Sequence, residues 1–361
     1  MILKIFDRFK VRKVEFFSKF QLSLAYDQFG STFSFSFYFD PENPDHKELA
    51  CVSHYHDCVI EHNDEVLVSG FAISQGFTYD PQKQLATISG YSKPGLFEDV
   101  NIPPDIYPLQ SDNLSLLEIA RKLTAPWNLD TKYKIGIIVD PSVADKVNKV
   151  FKKSTASETT TIAEYLRELA QQKKIIISHD EKGNLLFTQA KTTQDPLLTF
   201  DFRNGMIPGT SFVHTFNGQA MHSHITVMRQ ASVDGGNAGQ ITVRNPYVPV
   251  FYRPKTVVQS SGDDIDTNEV ALRELAKEWE NLTLAINTDR WIVNKKIIKP
   301  NSIIEVFAPE LYIYTKSRFF VRSIDYIGDE EKTTATLNCV IPEVVNGQMA
   351  KSIFEGINLH P

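Results

Sequence analysis

Val59-Ile60-Glu61, then Val66-Leu67-Val68-Ser69-Gly70-Phe71, a turn at Asp80-Pro81 and Ala86-Thr87-Ile88 form one β-hairpin unit near the start of the chain. The same order returns near its end as Ile303-Ile304-Glu305, Phe319-Phe320-Val321-Arg322-Ser323-Ile324, a turn around Gly328-Asp329 and Ala335-Thr336-Leu337. In both last strands a threonine separates apolar residues, the period-2 pattern of a sheet with one face packed inward. Two unrelated antiparallel hairpins give a similar echo by chance, so the pattern alone leaves both readings open. If the echo is a duplication, the chain carries two similar barrels, and three copies present six similar modules.

Working outward from the first unit, residues from Val14 to about Pro103 read as successive strands: Gln21 to Tyr26, Thr32 to Tyr38, Cys58 to Glu61, Val66 to Ile73 and Leu85 to Tyr91. Turn chemistry at Asp40-Pro41-Glu42-Asn43-Pro44, Asn63-Asp64 and Asp80-Pro81 separates them. Helix signals then follow. Ser115 with Glu118 and Thr161 with Glu164 make capping boxes, each ahead of an apolar stripe. The second helix runs through Lys173-Lys174 into Ile175-Ile176-Ile177, a turn at Asp180 to Asn184 and Leu185-Leu186-Phe187. Beyond Asp195-Pro196 the strand pattern resumes at Ser223 to Met228 and Ile241 to Val243, around the loop Asp234-Gly235-Gly236-Asn237-Ala238-Gly239. A long helix begins at Asp266 and Glu269, with Leu272, Leu275, Ala276 and Trp279 on one face.

The expected fold class is therefore β-rich α+β. It comprises a β-barrel domain over residues 1–105, an α+β insert over 106–200, a second barrel with one long helix over 201–342, and a C-terminal tail over 343–361.

The chain has 361 residues, room for about two or three domains with their own cores. With 42% hydrophobic and 23% charged residues it has the composition of a folded globular protein. Its 24 Phe and 13 Tyr against 3 Trp suit pleated surfaces. A formal charge of -6 argues against a protein that grips nucleic acid through its phosphates. No apolar run is long enough to span a bilayer, and the N-terminus lacks a signal-peptide pattern. The three cysteines, Cys51, Cys58 and Cys339, do not make a disulfide framework, which fits a reducing compartment.

Candidate chemistry is sparse. Cys51, His54, His56 and Cys58 are ligand types crowded into eight residues. In an extended strand, however, His54, His56 and Cys58 share one face while Cys51 points to the other, so no metal site is expected. His222-Ser223-His224 reads as a polar strand face, since no flanking pattern supplies further metal ligands. Gly235-Gly236 belongs to no phosphate-binding pattern, and G-x-S-x-G is absent. Lys146, Lys149, Lys152 and Lys153 read as the solvated side of a short amphipathic helix. No catalytic residue and no cofactor are expected. In the tail, Phe354, Ile357 and Leu359 need somewhere to be buried: they are expected to dock on a neighbouring subunit or partner, with folding back on their own barrel as the other reading.

Several segments taken in order resemble a known family. Val66 to Phe71 and Ile88-Ser89-Gly90-Tyr91-Ser92 are similar to its early strands, and Thr161-Ile162-Ala163-Glu164-Tyr165-Leu166 through Gly183-Asn184-Leu185 to its central helix and hairpin. Tyr252-Arg253-Pro254, Trp279-Glu280, Lys299-Pro300-Asn301-Ser302 and Thr334-Ala335-Thr336-Leu337 follow its C-terminal order. Over nearly its whole length the chain resembles the baseplate hub proteins of contractile phage tails, the Mu-like 43 kDa tail protein or late control gene P type. Cys51 to Cys58 and the residues after Pro342 have no counterpart in that pattern.

The resemblance implies a non-enzymatic homotrimer forming a pseudo-sixfold ring that joins the sixfold tail tube to a threefold spike. It also implies other baseplate proteins as partners, DNA passing through the channel without specific binding, no membrane insertion, and a place in the virion after assembly in the host cytoplasm. The spike is expected to be a separate polypeptide. Two rival readings are a tail-tip cell-wall hydrolase and a β-rich adhesin or carbohydrate-binding protein.

Overall fold

Phe33, Phe35 and Phe37 alternate with Ser34 and Ser36, and the three rings are buried while the serines face outward. This strand sits inside the sheet of the first of two units in the computed structural model. The first unit comprises Met1–Gln189 and Asp325–Thr334, and the second Ala190–Ile324 and Ala335–Pro361. The structure describes all residues except 7–9, 54, 107–110, 130–133, 153, 158, 205–210, 230–238, 249–251, 260–265, 290, 294, 349–352 and 355–361.

The first unit contains β1 (Ile2–Phe6), β2 (Val11–Val14), β3 (Lys19–Ala25), β4 (Thr32–Tyr38), β5 (His56–His62), β6 (Glu65–Asp80) and β7 (Lys83–Ser92). Their spatial order is β3-β4-β7-β6-β5-β1-β2, antiparallel throughout. The first two strands lie ahead of the point at which the sequence pattern begins. A short helix, Pro44–Leu49, also replaces part of the expected turn: the Asn43 side chain caps it and Pro44 opens it. Gly90 has its place because a Cβ there would lie 1.9 Å from the Phe71 carbonyl oxygen.

A second core in this unit joins helices Leu116–Thr124 and Ile162–Gln172 to a small sheet of β8 (Ile137–Val139), β9 (Ile176–His179) and β10 (Leu185–Thr188), ordered β8-β10-β9. Both expected capping boxes form, at Ser115 with Glu118 and Thr161 with Glu164, each a contribution of about 1 kcal/mol. The Ser69 hydroxyl donates to the Glu181 carbonyl at 2.7 Å, and Ser31 Oγ lies 2.7 Å from His179 Nε2. Burial lowers the pKa of His179.

The second unit contains β11 (Leu198–Asp201), β12 (Ser211–Phe216), β13 (His224–Arg229), β14 (Gln240–Arg244), β15 (Pro254–Gln259), β16 (Leu282–Thr288), the short pair β17 (Ile292–Val293) and β18 (Lys296–Ile297), and β19 (Ser302–Ala308). The hairpin β20 (Ile313–Asp329) and β21 (Thr333–Val340) completes it, except that the hairpin tip belongs to the first unit. The main order is β12-β16-β21-β20-β19-β11, with β11 parallel to β19. A separate sheet, β14-β13-β15, packs Ile225 and Val227 against Ala271 and Leu275 of helix Thr267–Glu278. Residues 234–238 of the expected glycine-rich loop lie outside the described residues.

The fold is thus β-rich with large antiparallel sheets, as expected. Among the described residues, however, neither order traces a closed barrel. The second ends on β12, whose described strand neighbour is β16 alone.

Candidate assembly surface

The two units present the same strand order, β5-β6-β7-β4-β3 in one and β19-β20-β21-β16-β12 in the other. Register fixes the correspondence residue by residue. Ile88 faces Phe35, which faces Phe20; Leu337 faces Ile286, which faces Phe212. Ala86 and Ile88, like Ala335 and Leu337, are buried, while Thr87 and Thr336 are not, as the alternation requires.

The hairpin tips match as closely. The Asp80 carboxylate accepts from the backbone N–H groups of Gln82 and Lys83 at 2.8 and 2.9 Å. The Asp329 carboxylate accepts from those of Glu331 and Lys332 at 2.9 and 2.8 Å, and these donors lower its pKa. Asp80, Lys83, Ala86, Thr87 and Ile88 therefore stand over Asp329, Lys332, Ala335, Thr336 and Leu337 at one constant spacing. On the preceding strands, this spacing sets Gly76 over Asp325, Phe77 over Tyr326 and Tyr79 over Gly328.

The surroundings of the matched parts differ. Inside the first unit the outer end of β20 lies beside β3, where the Ser23 hydroxyl donates to Asp325 Oδ1 at 2.6 Å. There the Phe20 ring closes on Gly328 so tightly that a Cβ would lie 2.2 Å from its Cε1. Tyr326 is 0% exposed there and Phe20 1% exposed. The outer end of β6, from Gly76 to Asp80, pairs with β7, and among the described residues no strand lies on its other side. Phe77 is 50% exposed and Tyr79 78%. On β12, Phe212 and His214 are half-buried and Phe216 is 47% exposed, where β3 buries Phe20, Leu22 and Leu24.

Of the expected docking residues, Phe354 lies in the described chain; Ile357 and Leu359 lie outside the described residues. The Phe354 ring packs against Tyr312, Phe216 and His214 at centroid distances of 5.8, 5.7 and 6.1 Å. Phe354 thus packs on its own unit. His214 is fixed by donating from Nδ1 to the Leu311 carbonyl at 2.8 Å, and Tyr312 turns the chain at a φ of 62°. The rim of this cluster, with Tyr314 and Val213, is exposed.

The remaining sequence candidates are dispersed. His56 and Cys58 are buried on the inner face of β5, Cys51 follows the short helix, and His54 lies outside the described residues. Burial raises the pKa of the Cys58 and Cys339 thiols. Among the described residues no three His, Cys, Asp or Glu converge as metal ligands. His222 meets a partner that sequence reading missed: the buried Glu278 carboxylate accepts from its Nδ1 at 2.6 Å and its backbone N–H at 2.8 Å, with Lys255 Nζ 3.6 Å away. This cluster ties the β13 sheet to its helix. Val143 and Val147 are buried around helix Ala144–Asn148, leaving Lys146 and Lys149 toward solvent, while Lys153 lies outside the described residues. A cleft of about 360 Å³ lies between Thr193, Thr315, Arg318 and Glu343.

No family model matches the chain, and no curated protein matches it in sequence. Solved structures do. The 43 kDa tail protein of prophage MuSo2 from Shewanella oneidensis superposes with a TM-score of 0.76 at 16% identity, covering 96% of this chain and 99% of that one. A tail protein from Neisseria meningitidis MC58 gives the same TM-score and identity over 96% of this chain and 98% of its own. A component of the E. coli type VI secretion system, described as structurally similar to the T4 bacteriophage tail proteins gp27 and gp5, aligns at a TM-score of 0.51 and 10% identity over 98% of this chain and 80% of that one. Along almost its entire length, the chain therefore has the fold of the prophage 43 kDa tail proteins.

Proposed function

We propose that the protein is a structural subunit of a contractile phage tail or tail-like particle: a baseplate hub whose three copies form a pseudo-sixfold ring between a sixfold tail tube and a threefold spike. The observation that carries this reading is the repeated strand order within a fold that matches a prophage tail protein end to end. A sixfold tube docks evenly on a threefold partner when an adaptor offers six near-equivalent surfaces, and one chain with two like modules supplies them three copies at a time.

In this reading residues 1–105 and 201–342 are the two barrel-like modules, separated by the insert over 106–200. The tail from 343 onward, with Phe354, Ile357 and Leu359, adds contacts to a neighbouring subunit or the spike. The work is binding geometry around a channel, with no bond made or broken, in the virion baseplate.

Mass measurement in solution tests the ring: a species of three times the 41.0 kDa chain mass is expected. It should bind the tube protein through one face and the spike through the other in pull-down. A strict monomer at high concentration that captures neither partner would refute the proposal.

A further inference from the structure

The first unit holds one complete example of a contact of which the chain displays both halves again, separated and open. The complete example is the outer end of β20 beside β3, with Tyr326, Phe20, Leu22 and Leu24 all buried. The open halves are the matched outer end of β6, with Phe77 and Tyr79 exposed, and the matched edge of β12, where Phe212 and His214 are half-buried and Phe216 stays 47% exposed beside the Phe354 ring. An edge strand with apolar residues turned to solvent is a template for further pairing.

We propose that the outer end of β6 in one copy pairs with β12 of a second copy, repeating between chains the contact that β20 and β3 make within one. The occupant is a second copy because, among the described residues, the edge that corresponds to β3 and so fits the β6 arm is β12 of this same chain. The Ser23–Asp325 contact of the template maps, by the matched positions, onto Thr215 and Gly76. One position departs from the template: Tyr79 stands where Gly328 admits the Phe20 ring, so the rim contact becomes ring against ring. Each copy offers one arm and one edge, so the contact is head-to-tail and closes into a ring when the rotation permits. Ring closure at three copies rests on the proposed hub function; the strand pairing does not.

The test is a disulfide between G76C and T215C in full-length chains carrying C51S, which removes the half-exposed native thiol. Gly76 accepts a Cβ, whose nearest neighbour would be Thr87 Cβ at 4.0 Å, and Thr215 is exposed. Cys58 and Cys339 are buried and do not compete. Mixing G76C chains with T215C chains under oxidation should give at least about tenfold more linked dimer than either variant alone, and chains with both substitutions should give a ladder that ends at three. A ladder that stops at two or runs past three keeps the pairing and overturns the three-copy hub. A sedimenting trimer in which both cysteines stay reduced keeps the hub and overturns the pairing. Monomers that form no bond overturn both.

Discussion

β3 and β12 hold the same place in two like strand orders, yet one is core and the other is rim. Phe20, Leu22 and Leu24 are buried because the tip of the β20–β21 hairpin lies beside them; Phe212, His214 and Phe216 have the same positions on β12 and stay partly in water. Burial here follows from the neighbour a strand has, not from how apolar it is. Phe77 and Tyr326 show the same from the other side: both are aromatic on matched arms, and the sheet context leaves one half exposed and the other fully buried.

The largest effect expected from this contrast is on stability. Tyr326→Ala should lower the unfolding free energy by about 3–5 kcal/mol, the scale for truncating a buried aromatic, whereas Phe77→Ala should cost under about 1.5 kcal/mol in the isolated chain. Denaturant titration of both variants checks this, and equal losses would break the comparison.

Phe77→Lys reverses the emphasis. A lysine on an open arm is a common guard against edge pairing, so self-association followed by sedimentation should weaken at least about tenfold, near 1.4 kcal/mol, while the midpoint of unfolding barely moves.

A pH titration sharpens the view of the first unit as the one already packed. The native pKa of His179 lies below its ordinary value of 6.5, so the unfolded chain takes up its proton first as pH falls. Stability contributed by the neutral ring is intact above pH 6.5 and drains away below it, toward the native pKa. His179→Gln should flatten that part of the wild-type curve; an unchanged slope would show that the ring is not the group responsible.

The smallest change expected is at Gly76. Ala fits there without collision and restricts the unfolded chain, so Gly76→Ala should change stability by under about 1 kcal/mol, toward stabilisation. Measurable loss would mean that the arm backbone takes a shape only glycine allows.

Much of this architecture was legible in the residues. Alternation in Ala86-Thr87-Ile88 and Ala335-Thr336-Leu337 named the inner faces, and the capping boxes at Ser115 and Thr161 placed their helices. The repeated Asp-x-x-Lys-x-x-Ala-Thr of the two tips carried the full register, although the hairpin turns alone did not display it. What composition does not encode is closure. Nothing local in β12 says that its β3-like edge has no described strand beside it, because that depends on where a strand a hundred residues later comes to rest. The same limit hid the Glu278 contact with His222, fifty-six residues apart, and the packing of Phe354 on Phe216.

The split of the β20–β21 hairpin has a bearing on how the chain is made. β3 leaves a ribosome about three hundred residues ahead of Asp325–Thr334, the segment that covers it. At about 5–20 residues per second the roughly three hundred residues between them take about 15–60 s to synthesise. Throughout that interval Phe20, Leu22 and Leu24 lack their final cover, so the nascent first unit is sticky for far longer than a small domain takes to fold. A truncation after residue 324 should therefore leave an otherwise formed first unit prone to aggregate, and a synthetic peptide spanning 325–334 added during translation should rescue its solubility.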